Sequence, residues 1–259
     1  MTHFELIIIG SGSGKSILTP DWDGKKVALI EAWVFGGTCL NMGCIPTKMY
    51  VYPSMLAWQA ATEGPGLGVE TKFDGVHWAE IRDRVFGRID PISQGGRDYR
   101  ANNANVTLIE ERVRFIGPKT LLTASGAELS ADQIVIAAGS HAQMPDVPGI
   151  DLPQVHTSDT VMRINELPSR VLVVGGGVIA AEFASVFAGF GSQVTQIIRG
   201  DALLRSMDAI MLQEIHRSGG SAMATGNGPS AALHDAVVGK CVSGKDSGTA
   251  RRRWHRRRL

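Results

Sequence analysis

Apolar residues in this chain gather into short runs, and glycine ends most of them. The first run, Phe4 to Ile9, leads into Gly10-Ser-Gly-Ser-Gly-Lys15. A run so short and so evenly apolar predicts a buried strand of a parallel sheet, here turning into a helix. Residues 26–31, Lys-Val-Ala-Leu-Ile-Glu, predict a second strand, so the chain opens as a βαβ unit. A glycine-rich turn at residues 35–39 precedes a helix expected to pass through Pro46 towards Ala61. Residues 64–68, Gly-Pro-Gly-Leu-Gly, read as a loop. Trp78, Ile81, Val85 and Ile89 share one helical stripe, which predicts an amphipathic helix over residues 77–90. Residues 106–110, 112–116 and 131–138 predict strands, the last stopped by Gly139. The opening pattern then starts again. Val171-Leu-Val-Val174 runs into Gly175-Gly-Gly-Val-Ile-Ala180, a helix is expected to about Phe190, and residues 193–198 form the next strand. Two strand–glycine–helix openings thus stand about 165 residues apart in an α/β chain.

After about Ile215 the periodicity fails. Residues 217–259 are rich in Ser, Gly, Ala and Arg, a composition that favours disorder over a packed core. Charge divides at the same place: this stretch holds nine basic and two acidic residues, leaving 17 basic and 23 acidic residues for the other 216. The formal net charge of +1 conceals two unlike pieces. The terminal arginines offer phosphate-binding charge, but no fold is predicted to present them, so no nucleic-acid partner is expected. No apolar run is long enough to span a bilayer, and Met1-Thr-His-Phe-Glu5 lacks the positive start of a secretory signal. A cytoplasmic location is the expectation. The three cysteines do not form a secreted disulfide framework, because two lie close together and Cys241 lies far off.

The chemistry concentrates at the glycine turns. In the first, Gly10 permits a tight turn, and Gly12 lets the backbone approach a pyrophosphate at a positive helix start. Lys15 stands where a third motif glycine is usual, which shifts the close-packing role towards Gly14. Glu31, 21 residues after Gly10, ends the second strand, where an acid accepts hydrogen bonds from a ribose. The plainer reading is a strand–helix turn with a surface glutamate. Residues 36–48 read Gly-Gly-Thr-Cys-Leu-Asn-Met-Gly-Cys-Ile-Pro-Thr-Lys. On a regular helix Cys39 and Cys44 would project roughly 140° apart, at 3.6 residues per turn. A disulfide between them needs a distorted first turn, which Gly43 and Pro46 can supply. A helix start and Lys48 are expected to lower a thiolate pKa, as disulfide exchange requires. A zinc site would need four ligands, and no second pair matches. Two inert buried cysteines remain the plain alternative.

Taken with the two loops, residues 36–48 resemble the active site of the pyridine-nucleotide disulfide oxidoreductase family, which includes glutathione reductase and dihydrolipoamide dehydrogenase. Residues 49–51, 84–92, 156–163 and 179–184 resemble its mycothione reductase branch. The resemblance covers about residues 4–214. It implies a Rossmann-like FAD-binding domain over residues 1–150, carrying the redox disulfide. A second, incomplete Rossmann-like NADPH-binding domain over 151–215 follows, and residues 216–259 form a disordered or out-of-frame tail. Cys39 would attack the substrate disulfide, and Cys44 would lie against the flavin as the charge-transfer thiolate. Lys48, paired with Glu182, would lie near the reactive edge of the isoalloxazine. The plainer reading of Glu182 is a carboxylate facing a helix dipole. The implied FAD contacts are Gly10, Gly12, Gly14, Glu31, Gly37, Thr38, Lys48, Ala138 and Gly139. The second loop, with Gly175, Gly177 and Ala180, fits the dinucleotide form, and its next strand ends in Arg199 rather than an acid. Arg199 and Arg205 therefore suit the 2′-phosphate of NADPH. The implied substrate is a low-molecular-weight disulfide.

Members of this family are far longer and homodimeric. After the position of residue 215 they complete the NADPH domain, return to the flavin domain, and add a dimerisation domain that supplies a His–Glu pair. No His-Pro near a downstream glutamate follows Ile215. The reversal of charge and the loss of periodicity together suggest a frameshift near codon 215. Little disulfide reductase turnover is expected of the chain by itself.

Overall fold

The computed structural model describes residues 1–198, Leu203 and Leu204, and the backbone of residues 237–241 and 254–255. The chain forms two compact units, neither continuous in sequence. One comprises Met1–Pro46 and Arg82–Arg163, the other Thr47–Ile81 and Ile164–Leu259.

The first unit is built on a six-stranded sheet. Its strands are β1 (Thr2–Ile9), β2 (Val27–Ile30), β3 (Val106–Ile109), β4 (Val113–Gly117), β5 (Thr120–Thr123) and β6 (Glu128–Ile136). The spatial order is β3-β2-β1-β6-β5-β4. β1 pairs in parallel with both β2 and β6, in the registers Ile9↔Ile30 and Ile9↔Ile136. β5 was not foreseen. It turns back antiparallel on β6 and pairs with β4 to form a meander. The run at 131–138 starts slightly earlier than expected, because Glu128, Leu129 and Ser130 pair with β5 and the last two of them also with β1. Both faces of the parallel strands are covered. Phe4, Ile7, Ala28, Ile30, Leu121, Leu129 and Ala131 form one core, and Leu6, Ile8, Val27, Leu29, Phe35 and Val106 the other. That two-sided burial is why β1 and β2 read as unbroken apolar runs.

The helix expected between β1 and β2 is absent. Two short 3₁₀ turns, Ser13–Ile17 and Pro20–Trp22, take its place. Pro20 holds Thr19 in extended backbone, so only a few residues after Gly12 are free to turn helically. Helix α1 (Gly37–Asn41) stops at Met42, and helix α2 (Cys44–Trp58) starts two residues later. Helix α3 (Trp78–Ala101) is far longer than the predicted 77–90 and passes through Pro91. Beyond Pro91 it stays anchored: Ser93 Oγ donates to Phe35 O at 2.5 Å, and Gly96 packs against the Phe35 ring.

The second unit holds a four-stranded sheet. Its strands are β7 (Arg170–Val174), β8 (Gln193–Ile198), β9 (Val237–Cys241) and β10 (Trp254–His255), in the order β10-β9-β8-β7. β7, β8 and β9 run parallel, and β10 is antiparallel. The last two strands are the described parts of the stretch read as a disordered tail. Helix α4 (Val178–Gly189) follows β7 as expected. Tyr50 and Trp78 meet Phe187 and Phe190 in an aromatic cluster, with the Trp78 ring 5.1 Å from Tyr50, 5.9 Å from Phe187 and 6.0 Å from Phe190. The buried Trp78 Nε1 donates to Ile164 O at 2.8 Å. Among the described residues no helix is long and apolar enough to cross a membrane.

Candidate active site

In the first unit the parallel neighbours β1 and β6 end side by side, and open α/β sheets bind ligands at such carboxyl strand ends. Gly10 lies there with φ +111°, and a Cβ on it would collide with Ala137 O. Ala138 and Gly139 continue that strand end, and both are exposed. Gly14 makes the close approach that Lys15 cannot: its Cβ would fall 2.5 Å from Ala137 Cβ and 3.3 Å from Ile8 Cγ2. Lys15 instead lays its ammonium 4.9 Å from the Phe35 ring centre. Burial pushes its pKa down, Arg100 adds to that effect, and Glu31 opposes it.

The two glycine turns touch. Gly37 has φ +72°, and its Cβ would fall 2.7 Å from Gly12 Cα. Glu31 braces the same place. Its Oε2 accepts from Ser11 N at 3.0 Å and Ser11 Oγ at 2.6 Å, and its Oε1 accepts from Trp33 N at 3.0 Å. Asn41 donates its amide to Phe35 O at 2.9 Å and to Gly37 O at 3.0 Å. Ser11, Asn41 and Ser93 were missed in the sequence reading. Their one signal is that small polar residues flank glycine turns, which is common to many loops.

Cys39 and Cys44 are free thiols, both exposed. The break between α1 and α2 is the distortion that the spacing demands. A Cβ on Gly43 would meet Thr38 O at 2.9 Å and Cys39 Cα at 3.1 Å, so only a bare backbone brings the second cysteine so near the first. Thr38 also accepts Met42 N at 2.9 Å, closing α1. The expected lowering of the thiol pKa is not found at Cys39. Its hydrogen bond with the Cys44 side chain pushes the thiol up, and burial and the charge of Cys44 add to this. Backbone N–H groups of Cys44 and Ile45 pull the other way, with smaller effect. The helix start and Lys48 were expected to lower a thiolate pKa in the pair; at Cys39 the largest influence is instead the other thiol.

The second unit brings together the remaining residues. Lys48, one turn along α2 from Cys44, forms an ion pair with Glu182 on α4. The two side chains meet because their helices approach closely further along. Ser54 Oγ donates to Val186 O at 3.0 Å, and Gly189 lies against Ser54, with room for no side chain. At the second glycine turn, Gly175 O accepts from the buried Gln196 Nε2 at 2.9 Å. A Cβ on Gly175 would rest 3.4 Å from Ala180 Cβ. Gly177 starts α4, and the space beside it is open, as a phosphate-binding turn requires. Arg199 and Arg205 lie outside the described residues.

Bare backbone at Gly10, Gly12 and Gly37, with a fixed carboxylate one strand away, fits a dinucleotide pyrophosphate and its ribose. Residues 4–248 match the family model described as pyridine nucleotide-disulphide oxidoreductase. Mycothione reductase of Mycobacterium tuberculosis (strain H37Rv) is 44% identical over 225 residues, covering 84% of this chain and 48% of that protein. Glutathione reductase of Burkholderia cepacia is 36% identical, covering 79% of this chain and 45% of that protein. The solved structure of the HOCl-induced flavoprotein disulfide reductase RclA from Escherichia coli superposes with a TM-score of 0.72 at 28% identity, covering 91% of this chain and 49% of that one. The chain spans about half the length of the curated relatives it matches.

Proposed function

The chain belongs to the pyridine nucleotide-disulphide oxidoreductase family, and we propose that within it the chain serves an FAD-dependent reduction of a low-molecular-weight disulfide by NADPH. The observation that carries this reading is the Cys39–Cys44 thiol pair, joined by a hydrogen bond across a helix break and led in by a glycine turn packed on Gly12. Cys39, as thiolate, attacks one sulfur of the disulfide. A mixed disulfide forms and one substrate thiolate leaves. Cys44 then attacks Cys39 Sγ, releasing the second substrate thiol and closing the Cys39–Cys44 disulfide. Bound FAD supplies two-electron transfer from the nicotinamide to that disulfide. Gly10, Gly12, Gly14, Gly37, Thr38, Ala138, Gly139 and Glu31 would hold it. Lys48, oriented by Glu182, would favour the anionic reduced ring.

Gly175, Gly177 and Ala180 would hold the nicotinamide cofactor, and Arg199 and Arg205 would select the 2′-phosphate. Mycothione is the favoured substrate, because mycothione reductase is the relative with 44% identity. A reducing, cytoplasmic compartment suits a cysteine pair kept for exchange. The test is an absorption spectrum of the purified chain with FAD, recorded before and after NADPH or NADH, followed by mycothione, glutathione disulfide or lipoamide. Bound flavin bleached by NADPH and recovered by mycothione supports the reading. Preference for NADH and lipoamide would move it to the dihydrolipoyl dehydrogenase branch, and bound flavin that NADPH never bleaches would leave a flavin-binding module.

A further inference from the structure

Ser11 is the unassigned position inside the first glycine turn, and the geometry there points to a coupling role. Its side chain is fully buried. Its hydroxyl does two things at once: it donates to Glu31 Oε2 at 2.6 Å and accepts from Gly36 N at 2.8 Å. Its own backbone N–H also donates to Glu31 Oε2, at 3.0 Å. Gly36 is the residue from which α1 starts, with φ +101°, and Cys39 lies on that helix. One hydroxyl thus joins the carboxylate at the end of β2 to the turn that carries the exchange cysteine.

We propose that Ser11 is a positioning residue that transmits the setting of Glu31 to the Gly36–Gly37 turn, so that the ribose end of the flavin site and the attitude of Cys39 are adjusted together. A hydroxyl is the group for this task, since it donates and accepts through one atom. Alanine would leave the Gly36 amide buried without its acceptor and Glu31 without one of its donors. Threonine keeps both bonds. Glycine, the other residue that tolerates tight turns, keeps neither.

The inference rests on the flavin reading above, and its test separates the two. FAD affinity is measured by quenching of flavin fluorescence for the full chain, Ser11→Ala, Ser11→Thr, Glu31→Ala and the Ser11→Ala/Glu31→Ala pair. The alkylation rate of Cys39 by iodoacetamide is measured on the flavin-free proteins. Ser11→Ala is expected to weaken FAD binding about tenfold and to change the Cys39 alkylation rate at least threefold, with Ser11→Thr restoring both. In the Glu31→Ala background, Ser11→Ala is expected to cost no more than a further twofold in affinity, as coupled neighbours do. Affinity within twofold of the parent in Ser11→Ala, or losses that multiply in the double variant, would overturn the coupling. If Ser11→Ala does not fold, Ser11→Cys, a weaker donor and acceptor, takes its place. It should lose FAD affinity severalfold, and unchanged affinity overturns the proposal. Failure of the parent chain to bind FAD would sink the flavin reading. The coupling would then stand or fall on Cys39 alkylation alone.

Discussion

The Cys39–Cys44 pair shows how one neighbour can dominate a residue's chemistry. Cys39 sits near a helix start, a setting that usually favours thiolate. Its hydrogen bond with Cys44 has the larger effect and holds its proton. A raised pKa means that the thiolate population of Cys39, and with it alkylation, appears at higher pH than for an ordinary thiol. Cys44→Ala removes that partner. The pH midpoint for Cys39 alkylation by iodoacetamide should then shift downward, and an unchanged or higher midpoint would contradict the assignment. Gly37 gives a second prediction. Alanine there would carry φ +72° and place Cβ 2.7 Å from Gly12 Cα. Strain of this kind costs about 1–3 kcal/mol. A urea titration of Gly37→Ala should show a loss of that order, with FAD binding lost alongside. The glycines and the cysteine spacing were legible in the sequence because each belongs to a short contiguous pattern, even though the atoms that demand the glycines, at Ala137 and Gly12, lie far along the chain. Ser11 was not, because its role depends on two partners that lie 20 and 25 positions away.

At the scale of elements, helix packing holds Lys48 to Glu182. The pair spans 134 positions, and no periodicity in the sequence links them, so only the family resemblance anticipated it. What aligns them is the close approach of α2 and α4 at Ser54 and Gly189. Gly189→Ala would place Cβ 2.8 Å from Ser54 O, and backbone cannot yield as a side chain would. Overpacking at such a crossing costs about 1–3 kcal/mol. A lower melting temperature is expected for Gly189→Ala, with the Lys48–Glu182 contact weakened. A melting temperature equal to the parent's would show that the crossing tolerates a methyl group. The strands were legible wherever both faces are buried. Helix α3 was not legible past Pro91, because the contacts of Ser93 and Gly96 with Phe35 outweigh what proline removes. The first crossover misled in the other direction: the glycine loop suggests a helix, and Pro20 prevents it.

At the scale of the molecule, the two units interleave along the chain. The second unit takes residues 47–81 from between the parts of the first. Its aromatic cluster draws Tyr50 and Trp78 from that segment and Phe187 and Phe190 from α4 and its end. Expressed alone, residues 164–259 should therefore expose Phe187 and Phe190, bind the dye ANS and aggregate. Adding a peptide of residues 47–81 should reduce the dye signal, and a fragment that is soluble and dye-silent by itself would refute this. The domain division at residue 150 followed the family resemblance. It carries no information about which helix packs on which sheet.

The pairing of β1 with β6 also has a consequence in time. Ile9 and Ile136 are register partners 127 positions apart, and the turn at Gly10 is completed only by the strand end at Ala137. During synthesis at about 5–20 residues per second, the ribosome takes roughly 6–25 s to travel between them. For that interval β1 has no partner on its β6 side, β2 gains β3 only once residues 106–109 are made, and the Gly10 turn has no floor. Assembly of the Gly10 turn is thereby scheduled by translation, and its packing cannot be completed until the second strand of the pair has been made.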